Sequence, residues 1–536
     1  MVAIILLGFL LLLPLASAYP LEADVEAAAE ATWIKPAEKK LIFAQALWRH
    51  GARAPNQMYP TSLNSIEDFI QEEGELLEKG MEEHFLLGLR LRHRYIKQLS
   101  LVSPRFRSKE VSIRSTGYNR TIASALTNFV SFYFTGNVKG KDYPGSIFWP
   151  GYYTPVPVYA VQWKDEDLFN YLRCPRALDL NVLIPQTPEF AAFVAEYQPL
   201  LAYLNNYSGM TITNSSAYAN LNVAYRVCDC ILCEQAVGLP LSPWATNITQ
   251  RCHEFLSDRY GQYLGIRSSS VFNGINIREE ARRTFSGKLI WEIIDRFQAK
   301  LDNHFNPALN SWIKENAYFV YSAHDTSLMQ LSSVLGFNTV NFETDLEPDT
   351  SDAVTMELWV GENDNSTVIK VLHFRRDILV PIDISKLIPG CENTIDGCSL
   401  EQFAAKSEQY RIIGNFNDHD TSLMQLSSVL GFNTVNFETD LEPDTSDAVT
   451  MELWVGENDN STVIKVLHFR RDNLVPIDIS KLIPGCENTT DGCSLEQFAA
   501  KSEQYRIIGT FNDFCASSIY NTPASKFLQS IDMNAS

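Results

Sequence analysis

What most limits the folds open to this chain is that it repeats itself. Residues 324–418 recur at 419–513, a period of 95 residues, with three differences: Ile378/Asn473, Ile395/Thr490 and Asn415/Thr510. Solenoid arrays have shorter, more numerous and more divergent units, so this is a tandem duplication and not a repeat architecture. Each copy carries the same two β-prone runs, Thr355–Val360 and Val368–Arg376 in the first, 450–455 and 463–471 in the second. One sheet cannot seat both sets at the same positions. The first copy is continuous with the strand-like segment upstream of it and is expected to enter the core. The second is expected to dock at the periphery or to leave an exposed segment, with part of it competing for the core as the alternative, because the unique tail with Cys515 follows it. The duplication also accounts for the charge: each copy holds 16 acidic and 6 basic residues, so the two make up the whole net charge of −20. With no basic stripe elsewhere, that balance argues against nucleic acid as a partner.

Upstream, the apolar run Leu41–Trp48 reads as a buried strand and ends in Arg49-His50-Gly51-Ala52-Arg53-Ala54-Pro55. A strand that runs into a Gly/Pro-bounded loop presents its last side chains at the sheet edge where open α/β sheets bind ligands. Two guanidinium forks suit a tetrahedral oxyanion such as phosphate, because each donates paired hydrogen bonds. The imidazole between them is a candidate nucleophile, its pKa lowered by its cationic neighbours.

Two further strand ends carry candidate groups. Glu110–Ile113 delivers Arg114-Ser115-Thr116 ahead of the helix-patterned Arg120–Leu126, an arrangement that aims donors at an anion. Ala317–Ala323 is a β-prone run ending in His324-Asp325, with a helical pattern over Thr326–Leu335. A His-Asp pair alone says little. This one stands at a strand end in a chain that already carries R-H-G-x-R-x-P. Its twin, His419-Asp420, follows the polar stretch Asn415-Phe-Asn-Asp418 and has no second R-H-G to partner it, so no second site is expected there.

Together R-H-G-x-R-x-P after a strand, the R-S-T-x-x-x-R-T segment at Arg114 and Y-S-A-H-D at 321–325 resemble the signature of the histidine acid phosphatases, of the metazoan lysosomal and prostatic type. The resemblance covers most of the chain from about Trp33 onward. It implies an α/β fold: an open mixed sheet flanked by helices, a phosphoglycerate-mutase-like core in two parts (33–145 and 301–418), with a mostly helical cap inserted at 146–300. A near-identical duplicate (419–513) and a tail (514–536) follow. It further implies that His50 becomes phosphorylated and that Arg49, Arg53, Arg114 and His324 hold the phosphoryl oxygens. Asp325 is implied to protonate the leaving oxygen, which favours activity at acid pH. No metal and no cofactor is called for, since the arginines supply the positive charge. The resemblance allows a homodimer. Gly117 departs from the family pattern, which has Asp there, and puts the local loop geometry in question. Two alternatives stay open: a phytase or inositol-polyphosphate phosphatase with the same motifs, and a catalytically inactive secreted glycoprotein.

Residues 1–18 combine an apolar run, Ile4–Leu13, with Ala16-Ser17-Ala18, the pattern of a secretory signal and its cleavage site. No later segment has eighteen consecutive apolar residues, so no membrane anchor is expected and the destination is extracellular or lysosomal. In an exported chain ten cysteines read as disulfides. Cys391/Cys398 and Cys486/Cys493 are spaced for local bridges, and Cys515 is expected to reach an upstream partner. Cys228, Cys230 and Cys233 with Cys252-His253 fit no standard zinc spacing. Sequons at Asn206, Asn214, Asn247 and Asn365 suit a glycosylated, exported protein; the resemblance implies small phosphate monoesters as its substrates. Residues 81–99 are helix-patterned, and their Arg90, Arg92, His93 and Arg94 read as a solvated face.

Overall fold

The computed structural model describes residue 36, residues 38–411 apart from 152, 213–217, 269–270, 310, 395 and 406, and parts of 448–494. The signal segment, His419-Asp420, Cys515 and the tail lie outside the described residues.

The long strand β1 (Lys39–Arg49) forms because its apolar residues serve both faces of a sheet, which removes the polar alternation of a half-exposed strand. Phe43 and Leu47 join one buried cluster, Ala44, Ala46 and Trp48 the other. The remaining strands of this sheet are β2 (Val111–Thr116), β3 (Tyr159–Val161), β4 (Tyr318–Ala323), β5 (Ala353–Gly361), β6 (Thr367–Phe374) and β7 (Ile382–Asp383). Their order is β3-β2-β4-β1-β5-β6-β7. The run from β3 to β1 is parallel, with Trp48 beside Ser322 and Arg114 beside Tyr321, whereas β5 to β7 are antiparallel. The C-terminal ends of β1, β2 and β4 therefore lie along one edge, and Arg49-His50, Thr116 and His324 stand there.

Helices cover both faces. On one, α1 (Glu78–Arg92) and α2 (Asn119–Phe132) place Leu87, Leu91, Phe129 and Phe132 against Trp48, Ile113 and Val320. The cap supplies α3 (Pro175–Leu183), α4 (Pro188–Tyr207), α5 (Tyr218–Ala236) and α6 (Thr249–Tyr263). On the other face, α7 (Gly287–Phe305) and α8 (Asp325–Val334) contribute Ile290, Ile293, Phe297, Leu328 and Leu331. Both β3 and α7 lie within 146–300 in whole or in large part, so the inserted helical region is narrower than the sequence suggested: β3 extends the sheet and α7 packs on it.

The basic stripe on α1 is not a solvated face. Arg90 donates to the carbonyls of Arg375 and Leu379, and Arg92 to the Phe132 carbonyl and Thr135. Arg94 is 1% exposed and forms a two-pronged ion pair with Glu357 of β5, itself 0% exposed, at 2.5 and 2.6 Å. These partners lie up to 289 residues away, which is why the charges looked solvent-facing in the sequence.

Ile412–Ser517 form a second compact unit. Its strands Ala448–Val455, Thr462–Phe469 and Ile477–Asp478 repeat the pairing of the first copy: Ala448 opposes Phe469 as Ala353 opposes Phe374, and His468 opposes Ile477 as His373 opposes Ile382. Cys486–Cys493 closes the same small loop as Cys391–Cys398. Ile464, Val466, Ile479 and Ile483 make its own buried cluster. In the first copy β5 has β1 on its other side; this is the copy that completes the main sheet.

Candidate active site

The loop after β1 is shaped by backbone hydrogen bonds that aim His50. Its N–H donates to the Ala323 carbonyl at 3.0 Å, while its carbonyl accepts from Ser351 at 3.1 Å, tying the loop to the end of β4 and the start of β5. Gly51 donates to the Ser124 hydroxyl at 3.1 Å, and Ala52 to the Glu83 carboxylate at 2.9 Å. A Cβ on Gly51 would stand 2.3 Å from the Gly80 carbonyl oxygen, so only glycine permits α1 to approach this closely. The His50 ring is buried, and its Nδ1 faces the Gly51 carbonyl at 2.9 Å. A carbonyl only accepts, so the proton sits on Nδ1 and Nε2 keeps its lone pair.

Burial holds His50 well below the usual imidazole range, reinforced by Arg120, His324, Arg49 and Arg53 in that order. The His50 and His324 rings meet edge to face, 5.5 Å between centroids. His324 shares a hydrogen bond with Thr116 at 3.0 Å from Nε2. It is pushed down to about 3, by burial first and then by Arg120, against an opposing pull from Asp325. Burial and the surrounding arginines favour the neutral form of both imidazoles.

Arg49 and Arg53 are each held by carboxylates. Arg49 pairs with Asp325 at 2.9 Å and approaches Glu347 at 3.7 Å, with a further hydrogen bond to the Pro348 carbonyl. Arg53 grips Asp229 of α5 through two hydrogen bonds of 2.8 and 3.2 Å. Burial, the largest single influence, would raise the Asp325 carboxyl, but Arg49, His324, the Thr326 backbone N–H and Arg53 together outweigh it and hold the group below its ordinary value. Glu347 has the weaker contact; burial pushes it up to about 8 despite Arg49, with Asp325 and Asp229 adding to the rise. A cavity of about 300 Å³ opens beside Arg49 and Arg53, lined also by Asp229, His253, Glu347 and Arg376.

Of the six residues singled out in the sequence, the fold brings Arg49, His50, Arg53, His324 and Asp325 together. Arg114 is turned elsewhere: its guanidinium meets Glu166 at 2.8 Å, Glu292 at 3.4 Å and Asp167 at 3.7 Å, and lies over the Phe169 ring. The third arginine whose charge bears on both histidines is Arg120, in the first turn of α2 and buried. Its own pKa is lowered to about 10, by burial and then by Arg53, as expected of a cation held among cations. The signal was present as the second arginine of the R-S-T-x-x-x-R-T segment. Position 114 lies within β2, whereas 120 opens the helix that starts at the strand end, and only the latter site faces the edge. Glu347, Asp229 and Thr116 were also missed, for they carry no local motif. The candidate metal cluster is altered by the Cys228–Cys252 disulfide, and among the described residues no group of three or more His, Cys, Asp or Glu side chains is arranged to hold a metal.

Arginines and histidines gather at the C-terminal edge of the parallel strands of an α/β sheet. The chain belongs to the histidine phosphatase superfamily (branch 2), whose family model matches residues 40–373. It is 29% identical over 373 residues to the lysosomal acid phosphatase of Homo sapiens, covering 69% of this chain and 78% of that protein. It is 28% identical over 370 residues to human prostatic acid phosphatase, covering 68% of this chain and 84% of the relative. Among solved structures, the phytase from Citrobacter braakii superposes with a TM-score of 0.51 at 16% identity, over 70% of this chain and 98% of that one; this likeness concerns the fold.

Proposed function

We propose that this chain is an acid phosphatase that hydrolyses phosphate monoesters through a phosphohistidine at His50. The observation that carries the reading is the tautomer and setting of His50: Nδ1–H is committed to the Gly51 carbonyl, so Nε2 is a neutral nucleophile among the charges of Arg49, Arg53 and Arg120. Nε2 attacks phosphorus, the ester P–O bond breaks, and Asp325 gives its proton to the departing oxygen. Asp325 then takes a proton from water, the water oxygen attacks phosphorus, and the P–N bond breaks to release phosphate and neutral His50. Arg49, Arg53, Arg120 and the Thr116-supported His324 stabilise the charge on the equatorial oxygens.

The acid preference follows from Arg49. In the empty site its charge favours Asp325 as carboxylate; a phosphoryl dianion bound to the same guanidinium screens that charge and raises the Asp325 pKa, so the proton is held when it is needed. Residues 1–18, the sequons and the lysosomal and prostatic relatives support an exported protein, extracellular or lysosomal. No helix among the described residues is long and apolar enough to cross a membrane.

The test is hydrolysis of a chromogenic aryl phosphate at acid pH by the full chain and by His50→Ala. The proposal expects turnover that vanishes in the variant. Turnover that survives in the variant would remove His50 as the nucleophile.

A further inference from the structure

Gly117, where the family pattern has Asp, is where the backbone after β3 closes on the end of β2. A Cβ there would lie 2.6 Å from the Val161 carbonyl oxygen and 2.9 Å from the Gln162 Cα. No side chain fits unless 161–163 move. With glycine in place, β3 runs on in register beside β2, Val161 next to Thr116, and delivers Trp163 to the site. The indole meets Tyr118 at 5.3 Å and His324 at 6.2 Å, and Tyr118 meets His324 at 5.2 Å, all edge to face. Both Trp163 and Tyr118 are partly exposed, so they present a wall of ring surface beside His324.

The wall is held from behind by the arginine that does not join the site. Arg114 fixes Glu166, whose Oε1 also accepts from the backbone N–H of Leu168 at 2.8 Å and Phe169 at 3.2 Å. Asn170 donates to the Trp163 carbonyl at 2.9 Å. The turn carrying Trp163 is therefore pinned at both ends, and Arg114 is a positioning residue.

We infer that Trp163 and Tyr118 form the leaving-group surface of this site, selecting phosphate monoesters of planar aromatic alcohols over those of polyols. This rests on the phosphatase reading. An aromatic face gains from stacking on another and gains nothing from a hydroxyl-covered chain.

The experiment compares kcat/KM for phenyl phosphate and glycerol 2-phosphate, using the full chain, and reads the ratio in each variant against the wild-type ratio so that intrinsic leaving-group reactivity cancels. In Trp163→Leu the ratio falls about 3- to 10-fold, the size of one aromatic contact, through loss on the aryl ester alone. Trp163→Phe keeps the ratio. Arg114→Met lowers it through KM for the aryl ester, with kcat for glycerol 2-phosphate preserved, and Gly117→Asp lowers it by displacing 161–163. Ratios unchanged within roughly twofold in Trp163→Leu and Gly117→Asp would overturn the inference and leave the phosphatase reading standing. Wild-type chain that hydrolyses neither ester would overturn both. If Trp163→Leu does not fold, inhibition of wild type by phenylphosphonate against methylphosphonate decides: tighter aryl binding with quenched tryptophan fluorescence supports the wall, and equal binding refutes it.

Discussion

Replacing Glu357 by Ala tests both the core and the choice between the two copies. Glu357 lies in β5 with no exposed surface and accepts four hydrogen bonds: two from Arg94, one from Tyr95 at 3.0 Å and one from the Trp359 indole at 3.1 Å. Alanine takes the Glu357 carboxylate away from the buried Arg94 guanidinium, and removing one partner of a buried ion pair costs about 3–5 kcal/mol. A folded unit is stable by only about 5–15 kcal/mol, so roughly a fifth or more of the margin is at stake. The twin residue, Glu452, opposes Lys465 in the second unit as Glu357 opposes Lys370, yet it does not belong to the sheet that carries His50. The assay is urea unfolding followed by residual phosphatase activity. With a slope of about 3 kcal/mol/M, Glu357→Ala lowers the midpoint by about 1 M or more, whereas Glu452→Ala leaves it in place. A double change, Arg94→Met with Glu357→Leu, recovers much of the loss because no charge is left unpaired. Equal midpoints for the two alanine variants would refute the reasoning. A loss confined to Glu452→Ala would mean that the second copy completes the sheet.

Three further outcomes follow from the site. Arg120→Met lowers kcat/KM by about 100-fold or more, the usual cost of losing one transition-state charge, while Arg114→Met costs less than a tenth of that; steady-state kinetics on an aryl phosphate separates them. Asp325→Asn slows alkyl phosphates far more than aryl phosphates, by about 100-fold against a small factor, because a phenolate departs without a full proton; equal losses would remove Asp325 as the acid. Glu347 is raised from 4.5 to about 8 in the fold, so the stability carried by its protonated form is complete below 4.5 and is lost as pH rises through 8. Glu347→Gln flattens that fall in the urea midpoint and weakens the alkaline rise in KM that a charge beside Arg49 produces; an unchanged profile would show that Glu347 does not titrate there.

The strand-end motifs were legible because geometry and chemistry coincide at them. Leu41–Trp48 and Ala317–Ala323 are apolar on both faces, so their polar endings, Arg49-His50 and His324-Asp325, had to emerge at a sheet edge. Arg114 misled for the same reason: it also terminates an apparent strand, but strand alternation turns it toward Glu166, and the helix start at Asn119 brings Arg120 to the edge instead. Arg94 looked solvated because a helix stripe of charge usually is, and its counterion is contributed by β5. Gly117 read as a missing Asp, although its meaning lies in the backbone of 161–163, which approaches only in the folded sheet. Asp229 and Glu347 come from the cap and from the turn before β5. Nothing near either in the chain marks it as a partner of arginine.

The central claim is that His50 carries the phosphoryl group. It is tested most directly by mixing the full chain with excess aryl phosphate, quenching in alkaline denaturant that preserves phosphohistidine, and mapping the label by peptide mass. The account predicts one phosphoryl group on the peptide containing His50, lost on brief acid treatment, enriched in Asp325→Ala and absent in His50→Ala. Label on another residue, or turnover with no label under conditions that trap Asp325→Ala, would contradict it.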